Sequence, residues 1–393
     1  MHRTVFVRFG KRASACAAAL VVALWAHPAH ADTVRSQQWY LDAMHADDMW
    51  RTSTGAGVTV AVIDSGVDAE LPDLRGQVLP GKDFSGLEGD AHSDYEGHGT
   101  TMAVLVAGNG ENQQGGGAMG LAPGAKVLPL RVISDKAPAT RTLPGTAMSA
   151  AIRYAADSEA KILNISMGNP EENPQEAKAL EYAISKGKLI FASVGNSGNR
   201  GNAVEYPAAY AGVIGVAAVD QDIKATDESQ YGPQVDLAAP GDNVISTCKG
   251  GTGVCRSHGT SAATALASAS AALVWSAHPD WTANQVLRVL INTAGGPKSG
   301  AKRSDSLGYG VVRPRLALQN PGDPGPPDVS PLPELAAATP AKPVASAPAR
   351  PQAGGAKSSD DDRLLLIAGV AAAVAVAAGA AAILVWRRRN LPG

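Results

Sequence analysis

The sequence predicts an α/β fold in three layers, a mostly parallel sheet between helices, with a single transmembrane helix near the C-terminal end. Three observations predict it. Through the middle of the chain, short β-branched runs alternate with segments of helix-forming composition, the pattern of strands joined by crossover helices. The 393 residues are 45% hydrophobic and 18% charged, which is enough apolar surface for a large core and excludes wholesale disorder. Residues 364–386 form an uncharged apolar stretch of the length a lipid bilayer requires. Glycine, at 43 residues, is well above the usual ~7%, so tight turns and close backbone approaches are expected.

Taken in order, residues 1–31 read as a secretory signal. Arg3, Arg8, Lys11 and Arg12 make a basic opening without an acidic residue, residues 13–26 are apolar, and Ala29-His30-Ala31 supplies a small-x-small cleavage pattern. An uncleaved anchor is the alternative. The folded domain is expected over 32–319. Strands are read at 58–63, 126–132, 162–165, 189–194 and 213–219 from their β-branched composition. Helices are read at 99–107, 146–156, 175–185, 261–277 and 282–292, the last with Thr282 as its natural N-cap. Strands and helices in alternation imply a parallel sheet covered on both faces, with functional residues gathered at the carboxyl ends of the strands.

Residues 320–363 are dominated by Pro, Ala and Gly. Such a stretch buries too little to offset its ordering entropy and is expected to be a disordered linker. The apolar run 364–386 follows. As a helix it spans ~34 Å, enough for a ~30 Å hydrocarbon core. Asp360, Asp361 and Asp362 precede it and Arg387, Arg388 and Arg389 follow it, so residues 387–393 are expected in the cytoplasm and the domain outside. The cationic end opposes a GPI-type tail.

A formal net charge of −2 carries no basic signature for nucleic acid, and 5% aromatic residues argue against stacking platforms. That total hides a segregation. Removing the four basic residues of the signal turns −2 into −6, and setting aside the three terminal arginines leaves −9 outside. The 8 His fall to five without His2, His27 and His30, and the 3 Cys fall to Cys248 and Cys255 without Cys16. In an oxidising compartment Cys248 and Cys255 are expected to form a disulfide across a Gly-rich loop. Two cysteines are too few for a zinc site, and no metal or other cofactor is expected. Asp83, Asp90 and Asp94 lie in loops; a solvated surface explains them as well as Ca²⁺ does.

Three polar residues stand where chemistry is expected. Asp64 follows the first strand, in Val62-Ile63-Asp64-Ser65-Gly66; His98 opens a helix in Gly97-His98-Gly99-Thr100; Ser261 opens a long helix of small residues in Gly259-Thr260-Ser261-Ala262-Ala263. Singly these read as a strand-end carboxylate, a surface histidine and an N-cap. Together they read differently. A serine hydroxyl needs a base to take its proton, imidazole titrates in the right range, and the imidazole needs a carboxylate to fix its tautomer and stabilise the imidazolium.

These motifs, in the chain order Asp, His, Ser, resemble those of the subtilisin-like serine proteases, and the resemblance runs over about residues 39–316. It implies a subtilisin-like fold and an acyl-enzyme endopeptidase with Asp64, His98 and Ser261 as its catalytic residues. It implies that Asn196, in Val194-Gly195-Asn196-Ser197-Gly198, is the side-chain donor to the oxyanion; such a donor is worth about 3 kcal/mol in the transition state. It also implies that Ser166-Met167-Gly168 binds the substrate backbone as an added strand. Asn164-Ile165-Ser166 matches a glycosylation acceptor, but it ends a core strand and reads as chance.

Two departures from the family stand out. Ala265 occupies the position four residues after the nucleophile where members usually carry Pro. The stretch between Asp32 and Asp64 leaves no room for a folded inhibitory prodomain, and residues 38–50 look like opening elements of the domain itself. Signal, missing prodomain, Pro-rich tether and terminal helix together resemble the mycosins, membrane-anchored proteases associated with type VII secretion. The expected partners are therefore protein or peptide substrates, the membrane through one helix, and a type VII secretion membrane complex. A structural secretion component with dispensable catalysis and a generic cell-surface subtilase are the alternatives.

Overall fold

The computed structural model describes residues 1–2, 33–112, 116–133, 145–247, 249 and 254–332. Residues 3–31 of the expected signal, the apolar stretch 364–386 with its arginines, and Cys248 lie outside the described residues. Among the described residues, no helix is long and apolar enough to cross a membrane.

Among the described residues nine strands are formed: β1 (Thr59–Asp64), β2 (Lys82–Asp83), β3 (Lys126–Arg131), β4 (Ile162–Ile165), β5 (Leu189–Ser193), β6 (Ile214–Val219), β7 (Leu237–Pro240), β8 (Val244–Thr247) and β9 (Val254–Ser257). The α-helices are α1 (Trp39–Ala43), α2 (Ala46–Trp50), α3 (His98–Ala107), α4 (Gly145–Asp157), α5 (Pro174–Ser185), α6 (Thr260–Ala277), α7 (Ala283–Thr293) and α8 (Pro314–Gln319). Seven strands make one sheet in the order β2-β3-β1-β4-β5-β6-β7, and every pairing in it is parallel. β8 and β9 form a separate antiparallel ribbon.

The sheet is buried on both faces, which explains the uninterrupted apolar runs. Along β1 the pleat sends Val60 and Val62 into one core cluster and Ala61 and Ile63 into the other. α3, α6 and α7 cover the first face, and α4 and α5 cover the second. The chain moves from β1 to one side for β2 and β3, then crosses to the other side for β4 through β7. The reversal lies between β1 and β4, and the carboxyl ends of strands at such a switch point border a crevice.

α6 is the central helix. Of its residues only Ser261, Ser276 and Ala277 escape full burial. Its Ala and Ser composition lets it lie close to the sheet, where a helix of larger side chains would be held away. α7 begins with a capping box in which Thr282 and Gln285 satisfy each other's backbone N–H. The opening elements belong to the same core: Tyr40, Leu41 and Met49 are buried in it, and the Tyr40 hydroxyl donates to Ile245 O at 2.9 Å.

The end of the domain lies further on than composition suggests. Residues 320–332, assigned to the linker by their Pro and Gly content, run along α7. Gln285 Nε2 donates to Gly325 O at 3.0 Å, Thr282 Oγ1 to Pro327 O at 2.8 Å, and Arg288 to Pro324 O at 2.5 Å. Leu332 is buried. A Pro-rich segment offers free carbonyls, and α7 supplies the donors, so packed structure passes the boundary expected at 319.

Candidate active site

Asp64 is the last residue of β1 and is fully buried. Its Oδ1 accepts from the Ser65 backbone N–H at 2.7 Å and contacts His98 Nδ1 at 2.7 Å. His98 is the first residue of α3, and 37% of its side chain is exposed. One edge of the imidazole is thus held by a carboxylate while the other faces the crevice. The Asp64 carboxylate pushes the His98 pKa up to about 9, with burial pulling the other way.

The loop before α3 fixes this pair. Asp94, one of the loop aspartates that a solvated surface and Ca²⁺ explain equally well from the sequence, is buried. Its Oδ1 accepts from Ser65 Oγ at 2.9 Å and Gly97 N at 2.8 Å, and its Oδ2 from Thr100 N at 2.9 Å and Thr100 Oγ1 at 2.5 Å. Ser65 Oγ in turn accepts from Gly99 N at 2.9 Å. The N–H groups of Gly97, Gly99 and Thr100 at the start of α3, which lack intrahelical acceptors, are therefore satisfied by the residue after Asp64 and by Asp94. Helix start and strand end are locked together. Glycine at position 99 is obligatory for this approach: a Cβ there would lie 2.1 Å from Gly66 O.

Ser261 lies in the first turn of α6, and its N–H has no intrahelical acceptor. Its hydroxyl donates to Ser166 O at 3.0 Å, while Ser166 Oγ donates to Ser261 O at 3.1 Å. Ser166 is held by Asn164 Nδ2 at 3.0 Å, and Asn164 Oδ1 accepts from Ser268 Oγ at 3.0 Å. Asn164 is fully buried, consistent with its glycosylation motif being chance. Among the described residues Ser261 Oγ makes no hydrogen bond to His98; the hydroxyl rests on the segment after β4 instead.

Asn196 follows β5. Its Oδ1 accepts from Thr260 N at 2.9 Å and Thr260 Oγ1 at 3.0 Å. That fixes the amide orientation and leaves Nδ2 without an acceptor among the described residues. Gly259, at φ +106°, passes so close that a Cβ would stand 2.8 Å from Asn196 Oδ1. Two donors, Asn196 Nδ2 and the Ser261 N–H, are left to serve an anion at the positive end of α6. Met167 is half-buried and Gly168 exposed, and their backbone groups form no hydrogen bonds among the described residues.

The structure thus pairs Asp64 with His98, and holds Ser261 against Ser166 with Asn196 tied to the adjacent Thr260; the helices that begin with the two groups, α3 and α6, pack on each other. Of the supporting residues, Ser65 and Thr260 lie beside Asp64 and Ser261 in their motifs, while Asp94, Asn164 and Ser268 have no sequence signal for this role. Only their burial together with a polar side chain gives them away. Cys255 sits in β9, opposite Ser246; its expected partner, Cys248, lies outside the described residues.

Comparison with known proteins agrees with this arrangement. The family model described as the subtilase family of S8 peptidases matches residues 55–310. Thermitase of Thermoactinomyces vulgaris is 35% identical over 260 residues, covering 66% of this chain and 88% of the relative. Subtilisin E of Bacillus subtilis is 34% identical over 268 residues, covering 68% and 67%. Among solved structures, MycP1 from Mycobacterium smegmatis superposes with a TM-score of 0.66 at 27% identity, over 77% of this chain and 89% of that one. MycP3 protease from the type VII (ESX-3) secretion system gives 0.61 at 31% identity, over 74% and 90%. This chain is a serine endopeptidase with a subtilisin-like α/β fold, structurally close to the mycosins, and it belongs to the subtilase family.

Proposed function

We propose that this protein is a membrane-anchored extracellular serine endopeptidase that processes proteins exported by a type VII secretion system. Ser261 is the nucleophile, His98 the general base and then acid, Asp64 the group that orients the imidazole, and Asn196 with the Ser261 N–H the oxyanion donors. A peptide lies along Ser166-Met167-Gly168 as an added strand. Its N–H groups compete for Ser166 O, which frees the Ser261 hydroxyl to turn to His98 Nε2. Oγ then attacks the carbonyl carbon as Nε2 takes its proton. The tetrahedral oxyanion collapses, the amine leaves with the proton from His98, and an acyl-serine ester remains. Water repeats the sequence in reverse roles to release the acid.

The observation that supports this reading is the Asp64 carboxylate held against His98 Nδ1, with Ser261 in the first turn of α6 and the Asn196 amide tied to its neighbour Thr260. The secretion role draws support from the mycosin neighbours and from the sequence signals at both ends of the chain. The Gly-rich loop between β8 and β9 is closed by a Cys248–Cys255 disulfide, a reading favoured by the antiparallel pairing that brings its two ends together.

A fluorophosphonate probe should label the protein at neutral to alkaline pH, and Ser261→Ala should abolish labelling without changing the melting midpoint. Absence of labelling in the native protein sinks the catalytic assignment. In cells, Ser261→Ala should leave exported proteins uncleaved. If it restores secretion fully where a deletion does not, scaffolding rather than proteolysis is the essential contribution. Unaltered secretion in the deletion strain points to a generic surface protease.

A further inference from the structure

β4 and β5 are neighbours and parallel, so the segments that continue from their carboxyl ends form two facing walls. One wall is Ser166-Met167-Gly168 and the other is Val194-Gly195-Asn196. Ser261 Oγ touches the first wall at Ser166 O, and Asn196 in the second is tied to Thr260, next to Ser261. A peptide carbonyl at Ser261 therefore places the side chain of its own residue, the one before the scissile bond, at the mouth of the slot between these walls.

Glu205 stands in that slot. A Cβ added to Gly168 would lie 2.6 Å from Glu205 Oε2, and one added to Gly195 would lie 2.7 Å from Glu205 Cδ. Both walls are glycine where the carboxyl group passes, and any side chain there would collide with it. The group is also fixed in place. Gln230, fully buried, donates from Nε2 to Glu205 Oε1 at 2.7 Å and to Ser197 Oγ at 2.8 Å, and its backbone N–H donates to Gly195 O at 3.0 Å.

The other oxygen, Oε2, has no hydrogen bond and no ion-pair partner among the described residues. Its surroundings are acidic. Beyond Gly168 lies a cavity of about 120 Å³ lined by Met148, Met167, Glu171, Glu172, Glu176 and Tyr206 among others, with no basic residue among the described residues that line it. Burial pushes the Glu205 pKa up, against the lowering effect of the Gln230 hydrogen bond, and burial alone moves Glu176 to about 7. A half-buried carboxylate held rigidly in a slot with no cation among the described residues is poorly compensated. A bound cation supplies the missing partner.

We propose that Glu205 sets the specificity of this protease, selecting substrates with Lys or Arg immediately before the scissile bond. This rests on the catalytic reading above. The alkyl stem of such a residue packs between the glycine walls, and its charged head reaches Oε2 at the floor.

The test uses the purified full chain, first shown by fluorophosphonate labelling to be active. Quenched peptides identical except at the residue before the cleaved bond (Lys, Arg, Gln, Leu, Ala, Glu) are then compared by kcat/KM. Lys and Arg should exceed Leu by about 10- to 100-fold, the range of a charge-assisted hydrogen bond, and the preference should shrink as salt is raised. Glu205→Gln, which keeps the shape, should bring the Lys-to-Leu ratio close to one, and Glu205→Lys should favour the Glu peptide. A labelling-competent protein that cleaves Leu, Gln or Ala peptides as well as Lys overturns the specificity and leaves the catalytic reading standing. So does a Glu205→Gln variant that keeps the native ratio. Failure of the native protein to label overturns both.

Discussion

His98 is subject to two opposed demands. As a base it must be neutral, yet the Asp64 carboxylate at 2.7 Å favours its charged form and lifts its pKa to about 9. The sign follows from linkage. The folded value lies above the ordinary 6.5, so the pair stabilises the fold fully below about pH 6.5. That contribution is lost as pH rises through about 9. Activity runs the other way: kcat/KM should climb with pH until it levels off near 9. Asp64→Asn removes the cause, so its acid limb should move down toward 6.5 while the plateau falls by about 10⁴-fold, because the tautomer is no longer held. A pH–rate profile on an uncharged substrate measures both, and an unshifted limb in Asp64→Asn contradicts the assigned cause. Asp64, His98, Ser261 and Asn196 were legible in the sequence because each sits in a short, glycine-flanked motif that must be locally contiguous. Asp94 and Glu205 were not. Asp94 looked like one of several loop aspartates, and only burial against Ser65 and Thr100 gives it a role. Glu205 lies far in sequence from Gly168, and its position exists only once β4 and β5 are paired.

The elements show the same division between local and long-range information. Strands β1, β3, β4, β5 and β6 announced themselves because a strand buried on both faces must be apolar throughout. β2 has two residues, and β7 is Leu-Ala-Ala-Pro. Neither has enough β-branched character to be read; their neighbours in the sheet make them strands. α6 was legible as a long helix of small residues, but its departure at Ala265 needs the structure to be judged. A proline there removes the N–H that an α-helix directs at Ser261 O. That carbonyl also accepts from Ser166 Oγ at 3.1 Å, so it would not be orphaned. Ala269, one turn on and equally buried, has no such reserve: its N–H is directed at Ala265 O, to which no side chain donates among the described residues. Ala265→Pro should therefore cost clearly less than the ~3 kcal/mol of a proline in a helix interior, and Ala269→Pro at least that much. Urea denaturation of the two variants decides it; equal losses would mean that the Ser166–Ser261 contact does not relieve the helix start.

Over the whole molecule, the question is where the folded unit ends and what its last segment does. Composition changes at residue 320, but hydrogen bonding does not. Residues 324–329 offer carbonyls to Thr282, Asn284, Gln285 and Arg288 on α7, and Leu332 is buried against the core. α7 packs on α6 and α8, so this segment braces the outside of the layer that carries Ser261 without reaching the crevice. Most of its hydrogen bonds are exposed and worth little, since water replaces them. Leu332 is the exception, with about 1.5–3 kcal/mol for its burial. A chain ended after residue 319 should then melt about 3–12 °C below one ended after residue 332, taking about 2–4 °C per kcal/mol for a domain of this size. Both should take the fluorophosphonate label to completion well below their midpoints, because every group around Ser261 is retained. Equal midpoints would show that 320–332 is a passive tether, as its composition suggests. A large gap with intact labelling would show that this proline-rich stretch is the last structural element of the protease domain.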